Sequence, residues 1–156
     1  ILLFYLLLFN LSNKLYLGDS GSYFLGVSVG SLLIFIYKEI SFISPFFIVL
    51  LLWYPCFENL FSIIRKKKFN LSPLNADNKH LHHLLFYYFK YKYNFTKLSS
   101  NNISSILINL INLIFFIIGA NYINNSFIQI TLIFSLISIY IFFYIILFKF
   151  RYKKIS

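Results

Sequence analysis

Two long apolar runs near the carboxyl end of the sequence most constrain how this chain can fold. Ile103 to Ile123 and Phe127 to Phe148 are each long enough to cross a bilayer, which takes about 20 apolar residues in a helix. The polar link Asn124-Asn125-Ser126 separates them. Because backbone groups inside a bilayer must be hydrogen-bonded within the protein, runs of this length form helices. The pattern therefore predicts a transmembrane helical hairpin.

Two earlier segments are also predicted to span the membrane. They are Tyr23 to Tyr37 and, despite its interior prolines, Phe42 to Ile64. The opening run Ile1 to Phe9 is too short to cross, so we expect it to be the end of a helix that begins upstream. The expected fold is all-α, a multi-pass transmembrane helical bundle with four complete spans plus a truncated N-terminal helix end. We expect residues 1–156 to form a single membrane domain.

Basic residues are gathered in the loops and at the C-terminus. The chain has 14 Lys and Arg against 4 Asp and Glu, a net charge of +10, although only 12% of it is charged and 60% is hydrophobic. Cytosolic loops of membrane proteins carry such an excess of Lys and Arg. We therefore place loops 10–21 and 65–100 and the C-terminus in the cytosol. The hydrophobic composition also argues against binding to nucleic acid.

Asp19 is one of the few acidic residues, and it stands in the sequence Leu17-Gly18-Asp19-Ser20-Gly21-Ser22. The glycines allow a tight turn, and Ser20 or Ser22 can cap a helix that follows. A carboxylate at such a helix start on the membrane surface can ligate Mg²⁺, which takes few protein ligands and shares substrate phosphates. The alternative is that Asp19 only caps the helix.

The three histidines of the chain lie within four positions, at His80, His82 and His83. If the segment from Asp77 onward is helical, His80 and His83 share a face with Asp77. Cationic imidazoles bind phosphate, whereas three histidines without a second cluster are too few for a usual zinc site. We favour phosphate binding because the basic run 65–68 lies in the same loop. The alternative is a solvated cluster that touches lipid head groups.

Glu58 lies inside an apolar helix near its expected cytosolic end, where an ionisable side chain is a functional candidate. The alternative is a structural ion pair with Arg65 or Lys66. In a later span, Asn109 and Asn112 share a helix face, and we expect them to hydrogen-bond a neighbouring helix.

Three motifs in order resemble the polyprenyl-phosphate N-acetylhexosamine-1-phosphate transferases, a family of membrane enzymes that includes the bacterial undecaprenyl-phosphate GlcNAc-1-phosphate transferases. They are Asn10 to Gly26 with Gly18-Asp19-Ser20-Gly21-Ser22, then Pro55-Cys56-Phe57-Glu58 followed by Arg65, then Ser72-Pro73 followed by Asp77 and His80-Leu81-His82-His83. The resemblance spans about Asn10 to Leu85, and the last two helices fit the family's topology.

The resemblance implies a function. The family transfers a sugar-1-phosphate from a UDP-sugar to polyprenyl (undecaprenyl) phosphate and releases UMP, which initiates cell-envelope polysaccharide synthesis. It implies a Mg²⁺-dependent phosphoglycosyltransferase, with Mn²⁺ as a substitute, at the cytosolic face of the bacterial inner (plasma) membrane. By this resemblance Asp19 is a metal ligand. The implied catalytic residues are Asp19, His80, His82 and His83. The implied substrate-binding residues are Asn10, Lys14, Tyr16, Glu58, Arg65 and Asp77.

The implied partners are the UDP-sugar, the polyprenyl phosphate and the lipid bilayer. The resemblance is compatible with a homodimer and implies no nucleic acid. Asn78 stands where many family members have Arg, and Glu58 where many have Asp. The family's paired aspartates lie upstream of the matching region and are not in this sequence. We therefore expect a C-terminal fragment of a larger transferase that is inactive alone. The alternative function is a non-enzymatic membrane anchor or transporter fragment, which would explain the helices but not the motifs.

Overall fold

Helices form the regular structure of this chain in the computed structural model, which describes Phe9, Ser12, Lys14, Asn70, Ser72 and the ranges 18–68 and 77–153, except for the side chains of Asp19 and Lys153. The described ranges hold no strand. The helices are α1 (Gly18–Glu39), α2 (Pro45–Lys68), α3 (Leu81–Lys92), α4 (Lys97–Asn121) and α5 (Ser126–Lys153). The expected all-α fold is confirmed.

Four of these helices are long and apolar enough to cross a membrane, as the sequence predicted. The segments are Ser20–Glu39, Pro45–Lys68, Lys97–Asn121 and Ser126–Tyr152. The shorter helix α3 lies inside the basic loop, between the second and third of them. The chain is therefore a membrane protein with four helices able to span the bilayer.

The starts of two spanning helices differ from expectation because single residues cap them. Helix α2 begins at Pro45 rather than Phe42, since proline suits the first helical turn, where its missing N–H is not needed. The hydroxyl of Ser44 accepts a hydrogen bond from the Phe46 amide at 3.2 Å. Helix α4 begins at Lys97, where the Thr96 hydroxyl accepts from the Ser99 amide at 3.2 Å. The structure therefore adds a turn before the apolar run of α4.

The start of α1 corrects one expectation. Gly18 has φ of +64°, the left-handed conformation that glycine adopts without strain, so the expected tight turn is there. The helix, however, already begins at Gly18, and the Ser22 hydroxyl donates to the Gly18 carbonyl at 2.8 Å inside the first turns. Ser20 and Ser22 therefore do not cap α1.

The chain forms two compact units, Ile1–Ile43 and Ser44–Ser156. The first contains α1, and the second contains α2 to α5. In the second unit, α2 packs on α4 and α5, and α3 packs on α4 and α5. The core between them holds Leu50, Trp53, Leu84 and Leu136.

Aromatic rings join α2 to α5 in the half of this unit that faces α3. The Phe57 and Tyr140 rings meet edge to face at 5.1 Å between centroids, and Phe61 and Tyr144 do so at 4.8 Å. Such pairs favour one register of two helices over others, because each ring fills the space beside the next. This register places the end of α2 beside the last turns of α5.

Polar side chains fix the hairpin of α4 and α5 at its opposite end. The buried Gln129 amide donates to the carbonyls of Gly119 and Tyr122, each at 2.8 Å, and so satisfies the last carbonyls of α4. Deeper in the unit, the Trp53 indole N–H donates to Asn112 Oδ1 at 2.9 Å, which confirms that Asn112 bonds a neighbouring helix. Asn109 is exposed.

Gly119 gives a test of this packing. A Cβ atom there would lie 2.5 Å from Leu50 Cδ2 and 3.1 Å from Gln129 Oε1. We expect Gly119→Leu to lower the free energy of unfolding by about 1–3 kcal/mol, the usual cost of overpacking. The measurement is reversible unfolding in mixed micelles. The matched control is Ala120→Leu, at the next and exposed position of α4. Equal stability of the two variants would contradict this packing.

Candidate functional site

Glu58 and Arg65 lie two helical turns apart on α2, so their side chains share one face of that helix. That face is directed at the segment 77–80 and the start of α3, because both side chains bond to residues there. Glu58 and Arg65 belong to the last turns of α2, whose length Pro45–Lys68 is sufficient to cross a membrane. The site is therefore built where a spanning helix ends and the basic loop folds back on it.

Glu58 binds the start of α3. It is buried, with 7% of its surface exposed. Its Oε1 accepts the amide N–H of Leu81, the first residue of α3, at 3.0 Å and lies 2.9 Å from Nδ1 of His80. Because a carboxylate only accepts hydrogen bonds, Nδ1 of His80 carries the hydrogen. A negative charge at a helix N-terminus is stabilising, so Glu58 holds α3 against α2.

Arg65 fixes the segment that leads into α3. Its guanidinium donates to Asp77 Oδ2, to the Ser62 hydroxyl at 3.3 Å, to the Lys79 carbonyl at 3.2 Å and to the Tyr144 hydroxyl at 3.0 Å. It also lies against the Tyr144 ring. One side chain thereby joins α2, the segment and α5. The sequence offered Arg65 or Lys66 as an ion-pair partner for Glu58. In the structure, Arg65 pairs with Asp77 instead.

Both oxygens of Asp77 are engaged. Oδ2 accepts from Arg65, and Oδ1 accepts the Lys79 amide at 2.8 Å. Burial acts to raise the pKa of Asp77, but the hydrogen bonds from Arg65 and Lys79 and the positive charge of Arg65 outweigh it and hold that pKa below its usual range. Asp77 is therefore a carboxylate that orders the segment.

The histidines lie together, though not on one helical face. His80 precedes α3 with extended backbone (φ −69°, ψ 152°), while His82 and His83 lie in the first turn of the helix. The condition under which His80, His83 and Asp77 would share a helical face is not met, because the helix begins only at Leu81. The ring centroids are still close, 4.2 Å from His82 to His83 and 5.7 Å from His80 to His82.

Two of these imidazoles resist protonation. Desolvation and the neighbouring charge of His83 lower the pKa of His82 to about 4, although Glu58 opposes this. Desolvation, with His80 and Arg151 as like charges, also lowers the pKa of His83. Both rings are therefore neutral near pH 7.

Arg151 contributes to the site and was missed by the sequence analysis. Its guanidinium donates to the Asn78 carbonyl at 2.7 Å and lies 5.2 Å from the Tyr87 ring centroid. Tyr144, the partner of Arg65, was missed as well. The sequence carries no local signal for either, because Arg151 stands in a basic tail and Tyr144 in an apolar helix.

The remaining predicted site residues fall in the first unit. The Lys14 side chain is exposed, and its amide donates to the Phe9 carbonyl at 2.9 Å. Asn10 and Tyr16 lie outside the described residues. Asp19 lies in the first turn of α1, and its side chain is likewise outside them.

A metal would depend on few protein ligands here. Among the side chains that the structure describes, no group of three His, Cys, Asp or Glu residues could hold an ion. Mg²⁺ does not need one, since it binds through one or two carboxylates together with phosphates and water. The donor chemistry of Asp19, at a helix start, fits that mode.

Two curated proteins are similar to part of the chain. The probable undecaprenyl-phosphate N-acetylglucosaminyl 1-phosphate transferase of Bacillus subtilis (strain 168) is 39% identical over 74 residues, which is 46% of this chain and 20% of that protein. The decaprenyl-phosphate N-acetylglucosaminephosphotransferase of Mycolicibacterium smegmatis is 32% identical over 84 residues, 46% of this chain and 21% of that protein. No family model and no solved structure matches the chain significantly.

The matched part thus spans about a fifth of the length of these relatives. Both relatives carry the activity name that the three sequence motifs led us to expect. The resemblance is therefore confirmed, and the chain has homologues among the polyprenyl-phosphate N-acetylglucosamine-1-phosphate transferases.

Proposed function

We propose that this chain is part of a membrane enzyme that transfers an N-acetylhexosamine-1-phosphate from a UDP-sugar to polyprenyl phosphate, on the cytosolic side of a bacterial plasma membrane. One observation carries the proposal. Glu58 and Arg65 hold a histidine-bearing segment at the end of a spanning helix, beside basic residues, where a lipid phosphate and a soluble nucleotide could meet. The names of the two relatives support the same chemistry.

The reaction needs charge neutralisation more than covalent chemistry from the protein. An oxygen of the lipid phosphate attacks the β-phosphorus of the UDP-sugar. The bond from that phosphorus to the oxygen shared with the α-phosphate breaks, and UMP leaves with that oxygen. A lipid diphosphate sugar remains. Positioned cations and hydrogen-bond donors stabilise the charge that develops.

Within this reaction, we assign His82 and His83 to contact with the diphosphate or sugar. Part of the surface of His82 and of His83 is open to solvent, and both residues lie in the first turn of α3. Glu58 acts through His80 and the first amide of α3, which makes it a positioning residue. Arg65 and Asp77 form their hydrogen bonds largely with each other and with the segment. They therefore also contribute to substrate binding by holding the segment in position.

Asp19 is the proposed metal ligand, and Asn10, Lys14 and Tyr16 are the proposed nucleotide contacts, with Tyr16 stacking on uracil. These assignments rest on the sequence resemblance. When bound, Mg²⁺ (or Mn²⁺) would neutralise the phosphate charge. A non-enzymatic membrane anchor remains the second candidate, favoured by the four spanning helices alone.

Replacing Asp19 separates these two functions. In the full-length enzyme we expect Asp19→Asn to lower Mg²⁺-dependent release of UMP by on the order of 100-fold, as for loss of a single charge-stabilising contact. Membrane insertion should be unchanged. The control is Glu39→Gln, the same change of charge at the other end of α1. Wild-type turnover by the Asp19 variant would contradict the proposal.

The histidines predict a pH dependence of nucleotide binding. The pKa of His82 is lowered to about 4 in the free protein, and a bound diphosphate would raise it. The affinity of the full-length enzyme for UDP should therefore increase as pH falls from 7.5 to 6, with uptake of a proton on binding. Calorimetry in buffers of different ionisation enthalpy measures that uptake. His82→Asn should weaken the pH dependence, and an identical profile in the variant would refute the role.

The ion pair of Arg65 and Asp77 predicts strong coupling in stability. Loss of either partner leaves the charge of the other without its counter-ion in a largely buried position, so Arg65→Gln and Asp77→Asn should each be destabilising. The double variant should reveal a coupling of about 1–3 kcal/mol in unfolding experiments. The control cycle is Lys38→Gln with Glu39→Gln, an exposed pair of opposite charge, for which we expect a coupling near zero. Equal coupling in the two cycles would contradict the structural role of the pair.

A further inference from the structure

The end of α3 carries a surface of aromatic and basic side chains that the proposed reaction does not use. We call it the aromatic–lysine edge, and it consists of Tyr88, Lys90, Tyr91, Lys92, Tyr93 and Phe95. Tyr93 is 51% exposed and Phe95 is 40% exposed. Aromatic rings that are this exposed to water would have a lower free energy in an apolar or interfacial environment, because their apolar surface would be buried there.

The edge lies beside the ends of two helices that are long and apolar enough to span a bilayer. Helix α4 begins at Lys97, two residues after Phe95, and it is long and apolar enough to cross. The Tyr88 ring meets the Phe150 ring edge to face at 5.1 Å, and Phe150 lies in the last turn of α5. Chain connection and packing therefore both place the edge next to the start of α4 and the end of α5.

The lysines of the edge are held beside aromatic rings. The Lys92 ammonium lies 4.8 Å from the Tyr88 ring centroid and donates to the Tyr88 hydroxyl at 2.6 Å. The Lys90 ammonium lies 5.4 Å from the Tyr91 ring centroid. No acidic residue follows Asp77 in the sequence. The positive charge of the edge thus has no carboxylate near it along the chain.

The turn between α3 and α4 holds this arrangement in place. The Tyr93 amide donates to the Phe89 carbonyl at 3.3 Å, and Asn94 takes a left-handed conformation with φ of 55°. The Phe95 ring stacks on the Tyr93 ring at 5.7 Å. The rings and the two ammonium groups are therefore presented together.

We propose that the aromatic–lysine edge is a docking surface for anionic phospholipid. The rings lie in the interfacial layer, where Tyr and other amphipathic aromatic side chains concentrate in membrane proteins. Lys90 and Lys92 contact lipid phosphates, with their alkyl stems along the rings. The edge thereby holds the end of α3 on the bilayer surface. Each lysine favours anionic over zwitterionic lipid by about fivefold.

Fluorescence quenching by brominated lipids tests this surface. The chain carrying Tyr93→Trp is reconstituted in bilayers with brominated phosphatidylglycerol or brominated phosphatidylcholine. The parent chain supplies the contribution of Trp53, which is buried. We expect both lipids to quench the tryptophan at position 93, with a preference for phosphatidylglycerol. Lys90→Gln and Lys92→Gln should each lower that preference by about fivefold. The double variant should show no preference.

A matched reporter at the other end of the hairpin separates local charge from general lipid contact. Phe127 is 76% exposed at the start of α5, in a turn with no basic residue. Phe127→Trp should be quenched equally by the two lipids. If Tyr93→Trp perturbs folding, Tyr91→Trp serves as the second reporter of the same edge.

Any one of three results at position 93 would overturn the proposal. They are quenching at position 93 by neither lipid, equal quenching there by both lipids, and a preference that both lysine variants retain. A preference of the same size at position 127 would also overturn it, because the effect would then belong to the whole membrane protein.

Discussion

The hydrogen bonds of the Arg65 guanidinium organise the second unit at its site end. This one group contacts Asp77, the Lys79 carbonyl and the Tyr144 hydroxyl, which belong to different parts of the chain. A planar guanidinium offers several donors in fixed directions, which a lysine ammonium does not. The position of the histidines depends on it, because the segment that it binds leads directly into α3.

The number and order of the spanning helices could be predicted because apolar length is a local property of the sequence. The helix starts at Pro45 and Lys97 were less predictable, since each depends on one capping residue, Ser44 or Thr96. Ser22 shows the opposite case. Its type suits a cap, but the helix already begins at the left-handed Gly18, so the hydroxyl bonds inside the helix.

The cluster at the end of α2 could be predicted only in part, because its pairings and its members Tyr144 and Arg151 depend on tertiary packing. Glu58, Arg65, Asp77 and the histidines were selected by their chemistry and by the motif order. That Glu58 would bind the start of α3 follows from tertiary packing, which brings together residues 23 positions apart. Tyr144 reaches Arg65 from 79 positions away. An isolated tyrosine in an apolar helix gives no sign of such a partner, so only the structure identifies it.

The carboxylate of Glu58 has a consequence for the connection between α2 and α3. The first amide of α3 is bonded by a side chain of another helix rather than by a residue of the connection itself. Arg65 likewise binds Asp77 and Lys79 directly. The position of α3 against α2 is therefore set by side chains of α2, so the placement of the histidines depends on a helix that carries none of them.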